Sequence, residues 1–129
     1  MGTAFYPSFD HVIEGYEPAT ALDGKALGRH VETLDAACPR LGVLPLLSFY
    51  SESIEEAFEK IGEPVPQDIP CRPIKWTDPV EGIRTIDALL NDEESVVDDA
   101  AVKRDLEELK QALLVAKKHG LQFRLCADI

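Results

Sequence analysis

Cysteine is scarce in this chain: Cys38, Cys71 and Cys126 are the only three, and no two lie closer than 33 residues. Without a C-x-x-C pair, a zinc knuckle and a thioredoxin-type exchange motif are both excluded. Three scattered thiols read as reduced cysteines, mostly buried as small hydrophobes, in a cytoplasmic protein. Basic residues are also few, 13 against 24 acids, for a net charge of −11. That balance argues against nucleic acid and anionic membrane as partners, since both demand basic surface. Long apolar runs are missing, the longest being Val43-Leu44-Pro45-Leu46-Leu47, far short of the ~20 residues that span a bilayer. The first ten residues, MGTAFYPSFD, lack the basic stretch and apolar run of a signal peptide. Gly2 follows Met1, but Tyr6 stands where a myristoylation signal wants Ser or Thr.

Chemical motifs are equally sparse. There is no G-x-S-x-G elbow, phosphate-binding loop or G-x-G-x-x-G fingerprint. His11, His30 and His119 never approach metal-ligand spacing. The 24 carboxylates offer no distinctive pair for acid–base work, and no metal or cofactor is expected.

What is present is a chain of 129 residues, 45% hydrophobic and 29% charged. This is a globular composition at single-domain length, and residues 1–129 are read as one domain. Residues 3–9 alternate, with Phe5, Pro7 and Phe9 on one side, which predicts a strand; Pro7 confines it to a sheet edge. Thr20 and Asp23 resemble the capping pattern of a helix start. An apolar stripe then runs through Leu22, Leu27, His30, Val31, Leu34, Cys38 and Leu41, with Pro39 and Gly42 as stop signals. Residues 43–50 fit either a buried strand or a packed loop. Ser53 and Glu56 form a capping box for a helix over 52–61, with Ile54, Ala57, Phe58 and Ile61 as its apolar face and Gly62 as its end. The prolines of 63–75 make an extended connector.

Asp78-Pro79-Val80-Glu81 starts another helix, with Asp78 as its cap, Glu81 where a capping box wants a carboxylate, and Val80, Ile83, Ile86 or Ala88, and Leu90 facing inward. The run Asn91 to Ser95 breaks it. A last helix, from Asp99 to His119, carries the stripe Val102, Leu106, Leu109, Leu113 and Ala116. Leu121, Phe123, Leu125 and Ala127 alternate with polar neighbours, which predicts a half-buried strand. It needs a partner, and residues 3–9 are the candidate. The expected fold is therefore α+β: four helices packed, on one face, against a small antiparallel sheet that pairs the two chain ends.

Two candidate sites emerge. The first is acidic. Residues 50–110 hold 17 acids and 7 bases, densest at Asp92, Glu93, Glu94, Asp98 and Asp99. Such a patch is either a solvated loop or a surface that steers a basic partner. It is no calcium loop, because it lacks a turn glycine and carries Val96-Val97 at its centre. The second site is the segment Lys75 to Thr85, which contains Trp76, the only tryptophan, and Gly82 inside the first helical turn. Glycine there costs up to ~1 kcal/mol against alanine, so something approaches closely. Either a ligand meets Trp76, Asp78, Glu81 and Arg84, or Trp76 anchors the connector and Gly82 admits a packed neighbour.

Trp76-Thr77-Asp78-Pro79-Val80-Glu81-Gly82-Ile83 with Thr85, together with Asp23-Gly24-Lys25-Ala26-Leu27 and the closing helix-to-strand run, resembles a set of small bacterial cytosolic proteins sharing a W-x-D-P-x-E-G-[IL]-x-T segment. The resemblance implies a single bacterial domain and no particular activity. The leading expectation is a non-catalytic acidic domain that binds a basic protein, in the manner of an immunity protein or antitoxin. The alternative is a small-molecule-binding or hydrolytic enzyme with its site near Trp76.

Overall fold

The computed structural model describes residues 3–69, 73–92 and 99–128. Strand β1 (Ala4–Phe9) pairs antiparallel with strand β2 (Phe123–Asp128), in a register running from Ala4 opposite Asp128 to Phe9 opposite Phe123. Between them come helices α1 (Lys25–Leu41), α2 (Ile54–Ile61), α3 (Pro79–Leu90) and α4 (Ala100–Lys118). The fold is α+β, with the chain ends joined in one sheet.

β1 buries Phe5, Pro7 and Phe9 and turns Ala4, Tyr6 and Ser8 the other way. β2 departs from the half-buried strand its alternation predicts: Phe123 through Ala127 are all buried. The core packs on the face of Phe123, Leu125 and Ala127, while Glu56 and Trp76 pack on Arg124 from the opposite face. β1 covers one edge of β2, while the other edge bonds to two isolated stretches. Thr77 and Phe123 exchange backbone hydrogen bonds of 2.8 and 2.9 Å, and Ser51 N donates to Leu125 O at 3.2 Å. β2 is thus a central strand by function, which suits its second role as the floor of the core.

α1 does not start on the Thr20–Asp23 pattern. Thr20 closes a short 3-10 turn, Pro18–Thr20, where its hydroxyl donates to Glu17 O at 2.9 Å. The residue flanking α1 is Gly24, at φ 75°, with no capping side chain. The cap comes instead from α4. Asp105, 3% exposed, accepts a hydrogen bond from Leu27 N at 3.0 Å. A carboxylate against the positive end of a helix is favourable, and here it also fastens two helices together. Gly24 and Gly28 let the backbone of Thr3–Phe5 lie directly on this end of α1. A Cβ at either glycine would collide with that backbone.

Residues 43–50 form a packed loop rather than a strand. A 3-10 turn, Leu46–Phe49, is held by Asp35, whose carboxylate accepts from Leu46 N at 2.6 Å and Leu47 N at 3.1 Å. Burial raises the Asp35 pKa despite those two bonds. Leu46 and Phe49 point into the core.

The core is one cluster from Phe5 to Ala127, filled by Leu27, Leu34, Ile86, Leu89, Leu106, Leu109, Leu113 and Phe123. α1, α3 and α4 enclose it against β2. Not all helices share that face. α2 meets β2 through Arg124, which alternates with Phe123 and Leu125 and so projects from the opposite side of the strand.

Candidate functional site

The segment Trp76 to Thr85 is tied to the rest of the chain at several points. The Arg124 guanidinium lies 5.5 Å from the Trp76 ring centroid. Thr77 is the backbone bridge to Phe123. Asp78 caps α3 by accepting from Val80 N at 2.9 Å, and Pro79 occupies a first-turn position whose amide would be unpaired in any case. Gly82 sits under the core: a Cβ there would stand 2.6 Å from Leu113 Cδ1 and 2.7 Å from Phe123 Cζ. Thr85, fully buried, donates its hydroxyl to Leu44 O at 2.7 Å. What approaches Gly82 is therefore the protein's own core.

The four residues of the ligand alternative have separate tasks. Trp76 stacks with Arg124, and Asp78 caps a helix. Glu81 and Arg84 form an exposed ion pair at 3.2 Å rather than completing a capping box. Asp78 lines a hollow of about 510 Å³ shared with Asp10, Lys117 and Gln122, and the other three residues do not border it. Asp10 is itself engaged, accepting from Gln122 N at 3.0 Å. A second hollow, about 570 Å³, lies between Tyr16, Glu17, Glu108 and Gln111 and touches none of the four. Val80, expected inside, is 38% exposed, because the face that α3 turns to the core runs through Pro79, Gly82, Ile86 and Leu89, and Val80 lies off that stripe.

The acidic candidate is placed in part. Glu93, Glu94 and Asp98 lie outside the described residues, as does Cys71. Asp92 is not a solvated acid: it is 8% exposed and contacts Arg40 at 2.6 Å, tying the end of α3 to the last turn of α1. Asp99 caps α4, accepting from Ala101 N and Val102 N at 3.0 and 3.1 Å. Its second oxygen stands 3.1 Å from His30 Nε2. His30 is thus a boundary residue on α1 facing an acid, as its place on the stripe suggested.

Sequence reading missed a polar cluster on the face of the sheet away from the core. Arg124 donates to both carboxylate oxygens of Glu56, at 2.7 and 2.9 Å, and to Ser51 O at 3.0 Å. Its Nε is buried with no partner among the described residues. The forked pairing drives the Glu56 pKa down to about 2 and raises that of Arg124. Beside it, burial raises the pKa of both Cys126 and Tyr6. Lys60 bonds Glu52 at 2.7 Å and Tyr50 at 3.4 Å; these bonds outweigh its burial, and its pKa is raised. A raised thiol pKa makes Cys126 a poor nucleophile at neutral pH. The cluster joins α2 and the Trp76 segment to the sheet. The only sequence signal for it was an arginine at an alternating position of an otherwise apolar strand.

Cys38 and Cys126 are free and buried. Among the described residues, no group of His, Cys, Asp and Glu is arranged to hold a metal ion, and no helix is long and apolar enough to cross a membrane. Comparison with protein-family models, curated proteins and solved structures finds no match to this chain.

Proposed function

We propose that this chain is a non-catalytic protein-binding domain that engages a basic protein, in the manner of an immunity protein or antitoxin neutralising a cationic effector. The observation that carries this reading is the net charge of −11, concentrated in residues 50–110. A field of that size attracts a cationic partner over about a Debye length and raises its association rate. The reading gains support from Trp76, Asp78, Glu81 and Arg84, which are engaged in stacking, capping and pairing within the chain.

The test is capture on the immobilised chain at low ionic strength, followed by elution with rising salt. Strongly basic proteins, released by modest salt, are expected. Retention of acidic or neutral proteins, or binding indifferent to salt, contradicts the proposal. Glu93→Gln, Glu94→Gln and Asp98→Asn together then test whether the segment around the helix break contributes. Asp92 and Asp99 are spared, because both hold the fold.

A further inference from the structure

The short helix α2 is amphipathic, yet its apolar face does not reach the core. Ile54, Ala57, Phe58 and Ile61 follow the i, i+3, i+4, i+7 spacing of a buried stripe. None of them is buried, and none belongs to the core cluster or to the side chains packed on it. Ile61 is 64% exposed, and Val65, just past Gly62, is 38% exposed. α2 is held instead by polar contacts on its other side: the Ser53–Glu56 capping box, the Glu56–Arg124 fork and the Lys60–Glu52 pair.

The rim of this stripe is acidic. Residues 52–68 contain six acids and one base. Glu52, Glu56 and Lys60 are engaged within the chain. Glu55, Glu59 and Glu63 are exposed, and no ion pair joins them to any described residue. Glu55 and Glu59 are four apart on one helix, where like charges repel. An apolar strip bordered by unneutralised carboxylates suits a segment with the opposite pattern. A second copy of this chain does not fit: a twofold contact sets the same patch against itself, acid rim to acid rim.

Resting on the basic-partner reading above, we propose that α2 with Val65 is the docking surface, and that its occupant is a cationic amphipathic segment of another protein. Apolar side chains of that segment cover Phe58, Ile61 and Val65, and its lysines or arginines meet Glu55, Glu59 and Glu63. This is the helix-in-groove mode of recognition, with charge setting the choice of partner.

The probe is a synthetic peptide with leucines on one helical face and lysines on the other, titrated into the full chain while backbone amide shifts are followed. Shifts centred on residues 54–65 are expected. Ile61→Ser with Val65→Ser is expected to weaken binding about tenfold or more, since losing burial of even one aliphatic side chain is worth that much. Glu55→Gln with Glu59→Gln is expected to weaken it at low salt and flatten its salt dependence. All four positions are solvent-facing, and an unchanged melting temperature confirms an intact fold. Shifts centred on residues 92–99, or undiminished binding by the Ile61/Val65 variant, overturn this docking surface and leave the basic-partner reading standing. Equal binding of a leucine–glutamate peptide, or no binding of the lysine peptide at any salt, overturns both.

Discussion

Gly82 and Asp105 show how much a single side chain decides here. Replacing Gly82 with alanine improves helix propensity by up to ~1 kcal/mol. The added methyl must then displace the side-chain ends of Leu113 and Phe123, both fully buried in the core. Overpacking of this kind costs roughly 1–3 kcal/mol. Gly82→Ala is therefore expected to be net destabilising by urea titration, and a stabilised variant would show that α3 can move off β2. Asp105→Ala removes the cap of α1 and leaves a buried amide without its acceptor, a loss of about 1–3 kcal/mol. The same titration checks it, and an effect near zero would mean that water replaces the carboxylate. Gly82 was visible in the sequence as an oddity inside a first helical turn. Asp105 was not. It reads as one more acid on a charged helix, and nothing local reveals that its partner lies 78 positions away.

The helices and strands follow local rules that are legible in the sequence wherever the signal is periodic or capped. α2, α3 and α4 begin at Ser53, Asp78 and Asp99, each an oxygen-bearing cap, and both terminal strands alternate. The misreadings arise where tertiary partners override local pattern. α1 begins at a glycine because its cap is borrowed from α4. β2 is buried on both faces because the core covers one and α2 and Trp76 cover Arg124 on the other, with Thr77 and Ser51 bonded along its second edge. α2 joins the sheet through the Glu56–Arg124 fork, which yields a pH signature. The Glu56 pKa in the folded chain is about 2, below its ordinary value of 4.5. A depressed carboxylate contributes stability above its unfolded pKa and loses it as pH falls through the folded one. Acid titration of stability should thus show a steeper loss in the wild type than in Glu56→Gln between about pH 4.5 and 2. Parallel curves for the two proteins would mean that the fork is not formed in solution. Ser53→Ala is expected to cost about 1 kcal/mol by loss of the cap. It should also speed amide exchange in α2 before any other helix, because α2 has no buried residue to hold it. Exchange in α2 as slow as in α4 would show that its apolar face is covered.

Taken whole, the molecule divides its carboxylates between two uses. Asp35, Glu56, Asp92, Asp99 and Asp105 hold the fold through backbone amides or arginines. Glu55, Glu59 and Glu63 face solvent with no ion pair to any described residue. That division was invisible in the sequence, where the densest acidic run drew attention to Asp92 and Asp99. Both turn out to be committed to the structure. Cys38 and Cys126 are buried and free, so titration after denaturation without reductant should recover three thiols if Cys71 is free as well; recovery of one would reveal a disulfide. The claim with most at stake is electrostatic attraction of a basic protein. Its most direct test is the association rate of the captured partner by stopped flow, from low to high ionic strength. The rate should fall steeply with salt while dissociation changes little, because screening shortens the reach of the −11 charge. An association rate independent of ionic strength would contradict a basic partner.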